Sequence, residues 1–206
     1  MSAINIVKPA YSRKLDLKHG CIEMTHGSGG RAMAQLIQHM FVTAFDNEFL
    51  RPMNDQACFR TANGRMVMST DSHVVTPLFF PGGDIGCLSV HGTINDIAMA
   101  GAQPCYLAAS FILEEGFPLA DLKRIVESMA RASQNAGVPI VTGDTKVVEK
   151  GSGDGVFITT TGLGIVPEGI NISGANAQPD DKIVVSGTLG DHGIAVMAFR
   201  ENLSFQ

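Results

Sequence analysis

The sequence has no surplus of basic charge, no long apolar run and no paired-cysteine spacing, and each absence removes a class of function. Fifteen Lys and Arg stand against twenty Asp and Glu, a formal charge of −5. A surface of that sign argues against nucleic acid or an anionic membrane as the main partner. No apolar stretch reaches the length needed to span a bilayer. Residues 1–18 mix charged and apolar side chains, without the continuous apolar segment and small-residue cleavage site of a secretion signal. The chain is therefore expected in the cytoplasm. Cys21, Cys58, Cys87 and Cys105 are scattered and form no CxxC, so neither a zinc knuckle nor a redox pair is implied. They are expected as reduced thiols, Cys87 and Cys105 within the core.

What is present is enough for a sizeable core. With 206 residues, 45% of them hydrophobic, the chain has room for one large domain, or one domain and part of a second. Residues 1–20 read as a flexible lead and Ile22–Thr25 as a short edge strand. His26-Gly-Ser-Gly-Gly30 then opens a helix over 31–45, whose Met33, Leu36, Ile37, Met40, Phe41, Ala44 and Phe45 recur at helical spacing. A glycine-rich loop before a helix offers backbone N–H groups to phosphate, although this one lacks the full P-loop pattern. Residues 46–64 read as loop. Apolar runs predict strands over 65–70, 104–113, 139–142 and 156–166, the second of them covered on both faces. A helix is expected to begin near Ile85, and an amphipathic one runs over 119–136 to a stop at Gly137. Residues 151–155 resemble a hairpin turn, 167–181 a linker, 182–186 a further strand and 192–200 a further helix.

Three carboxylates stand out. Asp71 follows the apolar Met66-Val67-Met68, and Asp144 follows Pro139-Ile-Val-Thr142, so each is expected just past a strand end, facing a turn. Asp96 sits with Asn95 among small and apolar residues of the Ile85 helix, where burial without a partner is costly. Two carboxylates about 4 Å apart repel by roughly 4 kcal/mol at an effective dielectric near ~20, so three would share a site only around cations. An oxygen-only donor set suits Mg²⁺, which commonly takes further oxygens from phosphates, and Lys146 is a natural phosphate contact. Taken singly, each acid reads as a turn or cap residue. Together, framed by glycines, they read as a site.

The segments Asp71-Ser-His-Val-Val75, Phe80-Pro-Gly-Gly-Asp-Ile-Gly86, Gly92-Thr-Ile-Asn-Asp-Ile-Ala98, Gly101-Ala-Gln-Pro104 and Gly143-Asp-Thr-Lys-Val147 resemble the ATP-dependent PurM-like (aminoimidazole ribonucleotide synthetase-like) superfamily. With His26-Gly-Ser-Gly-Gly30 and Ser186-Gly-Thr-Leu-Gly-Asp-His-Gly193, the pattern is most similar to the carbamoyl dehydratase family of hydrogenase maturation. The resemblance implies an α+β fold. A PurM-like N-terminal ATP-binding domain over 21–166, a mixed or antiparallel sheet covered by helices, would pair in a homodimer to form a barrel; 182–206 would begin a second α/β domain. It implies ATP and Mg²⁺, with Asp71, Asp96 and Asp144 holding the metal and Asn95 assisting. Asp96 and Lys146 would be catalytic, Thr145 would contact the nucleotide, and Gly27, Ser28, Gly29 and Gly30 would form a mobile flap over the triphosphate. Asp84 is either a further site residue or a helix cap, and His73 and His91 flank the acids.

The implied reaction is dehydration of a carboxamide, held as a thiocarbamate on a C-terminal Cys, to the thiocyanate that supplies cyanide to the iron of [NiFe] hydrogenase. The implied partners are a carbamoyltransferase and iron-centre scaffold proteins, with no nucleic acid and no membrane. Ending at Gln206 without that Cys, the chain is expected to be truncated. A selenophosphate synthetase would need a reactive Cys closely followed by Lys, and Cys21-Ile22-Glu23 fits poorly. A thiamine-phosphate kinase or purine-pathway relative, or a nucleotide-binding dimerisation module without turnover, remain the other readings.

Overall fold

The computed structural model describes residues 14–54, 56–58, 60 and 64–203. Most of the expected N-terminal lead lies outside the described residues. Four strands form the main sheet: β1 (Arg65–His73), β4 (Gln103–Glu114), β5 (Ile140–Val148) and β6 (Val156–Val166), in the order β1-β6-β4-β5. The β1/β6 and β6/β4 pairs are antiparallel and β4/β5 is parallel. A parallel pair needs a long crossover, supplied here by the helix α4 (Leu119–Ala136). A two-residue-per-strand ribbon, β2 (Phe79–Phe80) with β3 (Gly83–Asp84), leads into α3 (Ile85–Met99).

The turn after β5 does not make a hairpin. β5 already occupies one edge of β4, so β6 takes the other, and the connection spans two strand positions. Glu114, at the end of β4, fastens that connection: its carboxylate accepts from the backbone N–H of Gly151 (2.6 Å) and Gly155 (2.9 Å).

Alternation along the strands puts one face under helices. Leu107, Ala109, Phe111 and Leu113 of β4 are buried with Val156, Ile158 and Thr160 of β6. The intervening residues are half-buried or open, and Met66, Met68 and Ile112 on the second face are exposed. The apolar run of β4 is thus covered on one face within a single chain, not on both. In α4, Leu119, Leu122, Ile125, Val126 and Met129 are fully buried. Each contributes about 1.5–3 kcal/mol by burial. Gly137 ends this helix in the left-handed conformation at φ 68°. α3 lies unusually close to the sheet. A Cβ at Gly162 would stand 2.4 Å from Cδ1 of Ile97, and one at Gly164 would stand 2.5 Å from its Cγ2. Those two glycines make the groove in β6 that seats α3, and so fix where Asn95 and Asp96 stand.

Residues Met24–Gly27 form a 3₁₀ helix rather than the expected edge strand. His26 Nδ1 accepts from the backbone N–H of Glu23 at 2.9 Å, and Ser28 Oγ donates to the Thr25 carbonyl at 3.0 Å. Such local bonds offer the backbone an alternative to a sheet ladder. The next helix is interrupted: α1 (Arg31–Leu36) passes into a π-helical stretch, Ile37–Val42, and ends in α2 (Thr43–Phe45). Its face packs Phe41 on Phe111, with ring centroids 4.8 Å apart.

After Val166, the described chain carries no strand. Over 182–186 the expected strand is absent; Ile183 and Val184 are 96% and 86% exposed. An extended segment that pairs with no strand and buries no face has nothing to hold it as a strand. The final helix does form, as α5 (Asp191–Arg200), with His192 against the ring of Phe80 and Arg200 Nε donating to the Thr76 carbonyl at 3.0 Å. All four cysteines are free; Cys87 and Cys105 are half-buried rather than core, since Cys87 is spent on the start of α3 and Cys105 lies near the start of β4. Among the described residues, no helix is long and apolar enough to cross a membrane.

Candidate active site

The seam between β1 and α3 holds the first group of polar residues. Ser69, Asp71 and His73 alternate along β1 onto the face that α3 covers. Ser69 Oγ donates to Asp96 Oδ2 at 2.9 Å, tying strand to helix. Asp71 Oδ2 lies 3.6 Å from His73 Nε2. Gly92 makes this proximity possible: a Cβ there would stand 2.8 Å from His73 Cε1 and 3.3 Å from Asp71 Oδ2. Asn95 and Asp96 are exposed at the mouth of the seam, as is His91 one turn earlier. Asp96 therefore escapes the burial cost expected for it. Burial pushes the His73 imidazole below its ordinary pKa, against the opposing pull of Asp71 and then Asp96. Asp71 lies inside β1, two residues before its end, because the strand continues to His73.

The second group sits on β5. Asp144, Thr145 and Lys146 are mid-strand, since β5 runs on to Val148 with Asp144 opposite Ser110 and Lys146 opposite Ile112. Alternation turns Thr145 and Val147 inward, where they are buried, and leaves Asp144 and Lys146 exposed. The glycine-rich loop docks alongside: a Cβ at Gly27 would stand 2.8 Å from Val147 Cβ, whereas one at Gly29 meets nothing within 4 Å. Gly29 takes φ 73°, and Gly30 precedes the first turn of α1. A cavity of about 190 Å³ opens beside this edge, lined by Met33, Phe41, Phe111, Thr142, Asp144 and Thr145.

These two groups do not meet within one chain. Asp71, Thr160, Ala109 and Gly143 form one row across the sheet. Three strand spacings separate its ends, about 14 Å. Asp144, one residue beyond Gly143, also points to the other face. Among the described residues, no three His, Cys, Asp or Glu side chains converge as a cation site. The structure thus places Asp71 and Asp96 at the seam, with Asn95 beside Asp96 on α3, and separately sets the loop of Gly27, Ser28, Gly29 and Gly30 alongside β5, which carries Asp144, Thr145 and Lys146. Asp84 takes its alternative role: its carboxylate accepts from Cys87 N at 2.9 Å and caps α3. Ser69 and Gly92 join the seam without having been singled out in the sequence. Their signals were there, a hydroxyl two residues before Asp71 and a glycine in a helix interior.

Residues 53–166 match the sequence profile of the AIR synthase related protein, N-terminal domain. The chain is 72% identical to a carbamoyl dehydratase HypE of Cupriavidus necator, over 97% of its own length and 57% of that protein's. Its structure is similar to that of a hydrogenase maturation protein HypE in complex with ATP, with a TM-score of 0.86, 50% identity, and coverage of 89% of this chain and 54% of the other. It is also similar to a chain of a HypE–HypF complex, with a TM-score of 0.68, 57% identity, and coverage of 83% and 55%. The chain therefore spans little more than half the length of the relatives it matches.

Proposed function

This chain belongs to the AIR synthase related protein family through that family's N-terminal domain, and from that premise we propose that it is the ATP-binding part of a carbamoyl dehydratase of hydrogenase maturation. The observation that carries this reading is the 72% identity to such an enzyme over 97% of the chain. In the reaction proposed, the amide oxygen of a Cys-bound thiocarbamate attacks the γ-phosphate of ATP, releasing ADP and one amide proton. Loss of phosphate with the second amide proton then leaves the thiocyanate.

The donor set at the β1/α3 seam fits a hard cation. Asp71, Asp96 and Asn95 offer only oxygens, two of them charged and both near His73. Mg²⁺ held there would neutralise charge on phosphate oxygens during transfer. The chain's own residues then divide the work. Asp71 and Asp96 would bind the cation, with Asn95 assisting. On β5, Lys146 would balance phosphate charge, and Asp144 and Thr145 would line the nucleotide's path. Backbone N–H groups of Gly27, Ser28, Gly29 and Gly30, ahead of α1, would close over the triphosphate.

We place the two groups in one site through a homodimer built on the open sheet face. Met66, Met68 and Ile112 are exposed on it, and Asp144 and Lys146 share it. A carbamoyltransferase partner is supported by the HypE–HypF complex of a relative, and the scaffold proteins of iron-centre assembly follow from the proposed product. Calorimetric titration of ATP with and without Mg²⁺ tests the core of the reading. Saturable, magnesium-dependent binding that is weakened in Asp96→Asn and Lys146→Gln is expected; no binding by the wild-type chain would sink it.

A further inference from the structure

His73 closes β1, and its side chain is 6% exposed. Its Nε2 is the one buried side-chain nitrogen or oxygen among the described residues that has no hydrogen-bond partner. Buried polar atoms are nearly always bonded, so an orphan of this kind asks for an explanation. Asp71 Oδ2 lies 3.6 Å from it, just beyond hydrogen-bond reach. The element facing ring and carboxylate presents Gly92, whose missing Cβ would stand 2.8 Å from His73 Cε1 and 3.3 Å from Asp71 Oδ2. The other carboxylate of the seam, Asp96, is already engaged by Ser69. Each acid thus has one neighbour from β1 on the same strand face, a hydroxyl for Asp96 and an imidazole for Asp71.

We propose that His73 is a positioning residue for Asp71, carrying its ring proton on Nε2 and donating it to Oδ2 when a divalent cation engages the carboxylate. The contact would hold Asp71 in one rotamer, as hydrogen bonds from neighbouring side chains orient ligating groups in metal sites generally. This inference rests on the reading of Asp71 as a cation ligand. A histidine kept only to fill the core would leave metal affinity untouched once the fold is intact.

The test compares the wild-type chain with His73→Gln, His73→Leu and Asp71→Asn, each checked first by thermal melting. Calorimetry then measures ATP binding with Mn²⁺ and, separately, with EDTA. Gln keeps an N–H donor near the Nε2 position and should bind Mn·ATP within about threefold of wild type. Leu should lose about tenfold or more, the usual cost of removing such a support, while binding in EDTA stays the same for both. Unchanged Mn·ATP binding in His73→Leu alongside weakened binding in Asp71→Asn overturns the role of His73 and leaves the functional reading standing. Unchanged binding in Asp71→Asn removes the cation reading, and this inference with it. Nitrogen-15 NMR of the wild-type imidazole needs no variant to fold: the Nε2–H tautomer is expected, and the Nδ1–H tautomer overturns the proposal.

Discussion

Glu114 shows how a single carboxylate can be read both in structure and in pH. Its bonds from the N–H groups of Gly151 and then Gly155, with Lys150 nearby, lower its pKa from the ordinary 4.5. The folded state therefore gives up this proton more readily than the unfolded chain. Its contribution is complete above the unfolded value and is lost as pH falls through 4.5 toward the folded value. Melting of wild type and Glu114→Gln should differ at pH 7 and draw together as pH falls below 4.5. A gap that widens in acid would contradict the assignment. Asp96 supplies the complementary case, a charge that the proposed function assigns to chemistry rather than to the fold. It is exposed, and an Asn oxygen can still accept from Ser69. Asp96→Asn should melt close to the wild-type temperature, because the exposed side chain can keep its bond from Ser69 Oγ. Its Mg·ATP affinity should fall by about tenfold or more; equal affinity would clear Asp96 of the role.

Among the elements, the loop before α1 separates space from conformation. Gly27→Ala must displace Val147, since the new Cβ would stand 2.8 Å from Val147 Cβ, and should cost about 1–3 kcal/mol. Gly29→Ala meets open space and bears only the left-handed backbone, about 1–2 kcal/mol. Gly29→Val should weaken ATP binding more than it lowers the melting temperature, and the reverse order would make the loop a structural turn. The same elements show where the sequence could be read. α4 and its Gly137 stop are plain in the stripe Leu119, Leu122, Ile125, Val126 and Met129. The end of β1 is not. Beyond Met68 the strand is continued by hydroxyls, Thr70 to Thr161 and Ser72 to Thr159, each pair 2.9 Å apart. Polar pairs across a ladder leave no apolar signature, so Asp71 reads as a turn residue although it is mid-ladder. The run Ile183-Val184-Val185 errs the other way, apolar enough for a strand but paired with none. The separation of Asp71 from Asp144 depends on strand order, which local spacing does not contain.

At the scale of the whole molecule, the homodimer proposed above rests on the open sheet face. Met68 is 72% exposed there. Met68→Glu, tested by sedimentation, should shift the proposed dimer toward monomer without lowering the far-ultraviolet helical signal, and an unaltered sedimentation coefficient would remove this face from the interface. The sheet order has a further consequence, for the birth of the site. β1 is bonded to β6 alone, Asp71 opposite Thr160 and Arg65 opposite Val166. During synthesis the strand bearing Asp71 emerges early and then waits, edges bare, until the last strand of the sheet has left the ribosome. Contacts so distant along the chain are slow to close. The seam that gathers Asp71, His73 and Asp96 is therefore among the last parts of the sheet to form. A ribosome stalled before residue 156 would hold a nascent chain in which β1 has no partner strand.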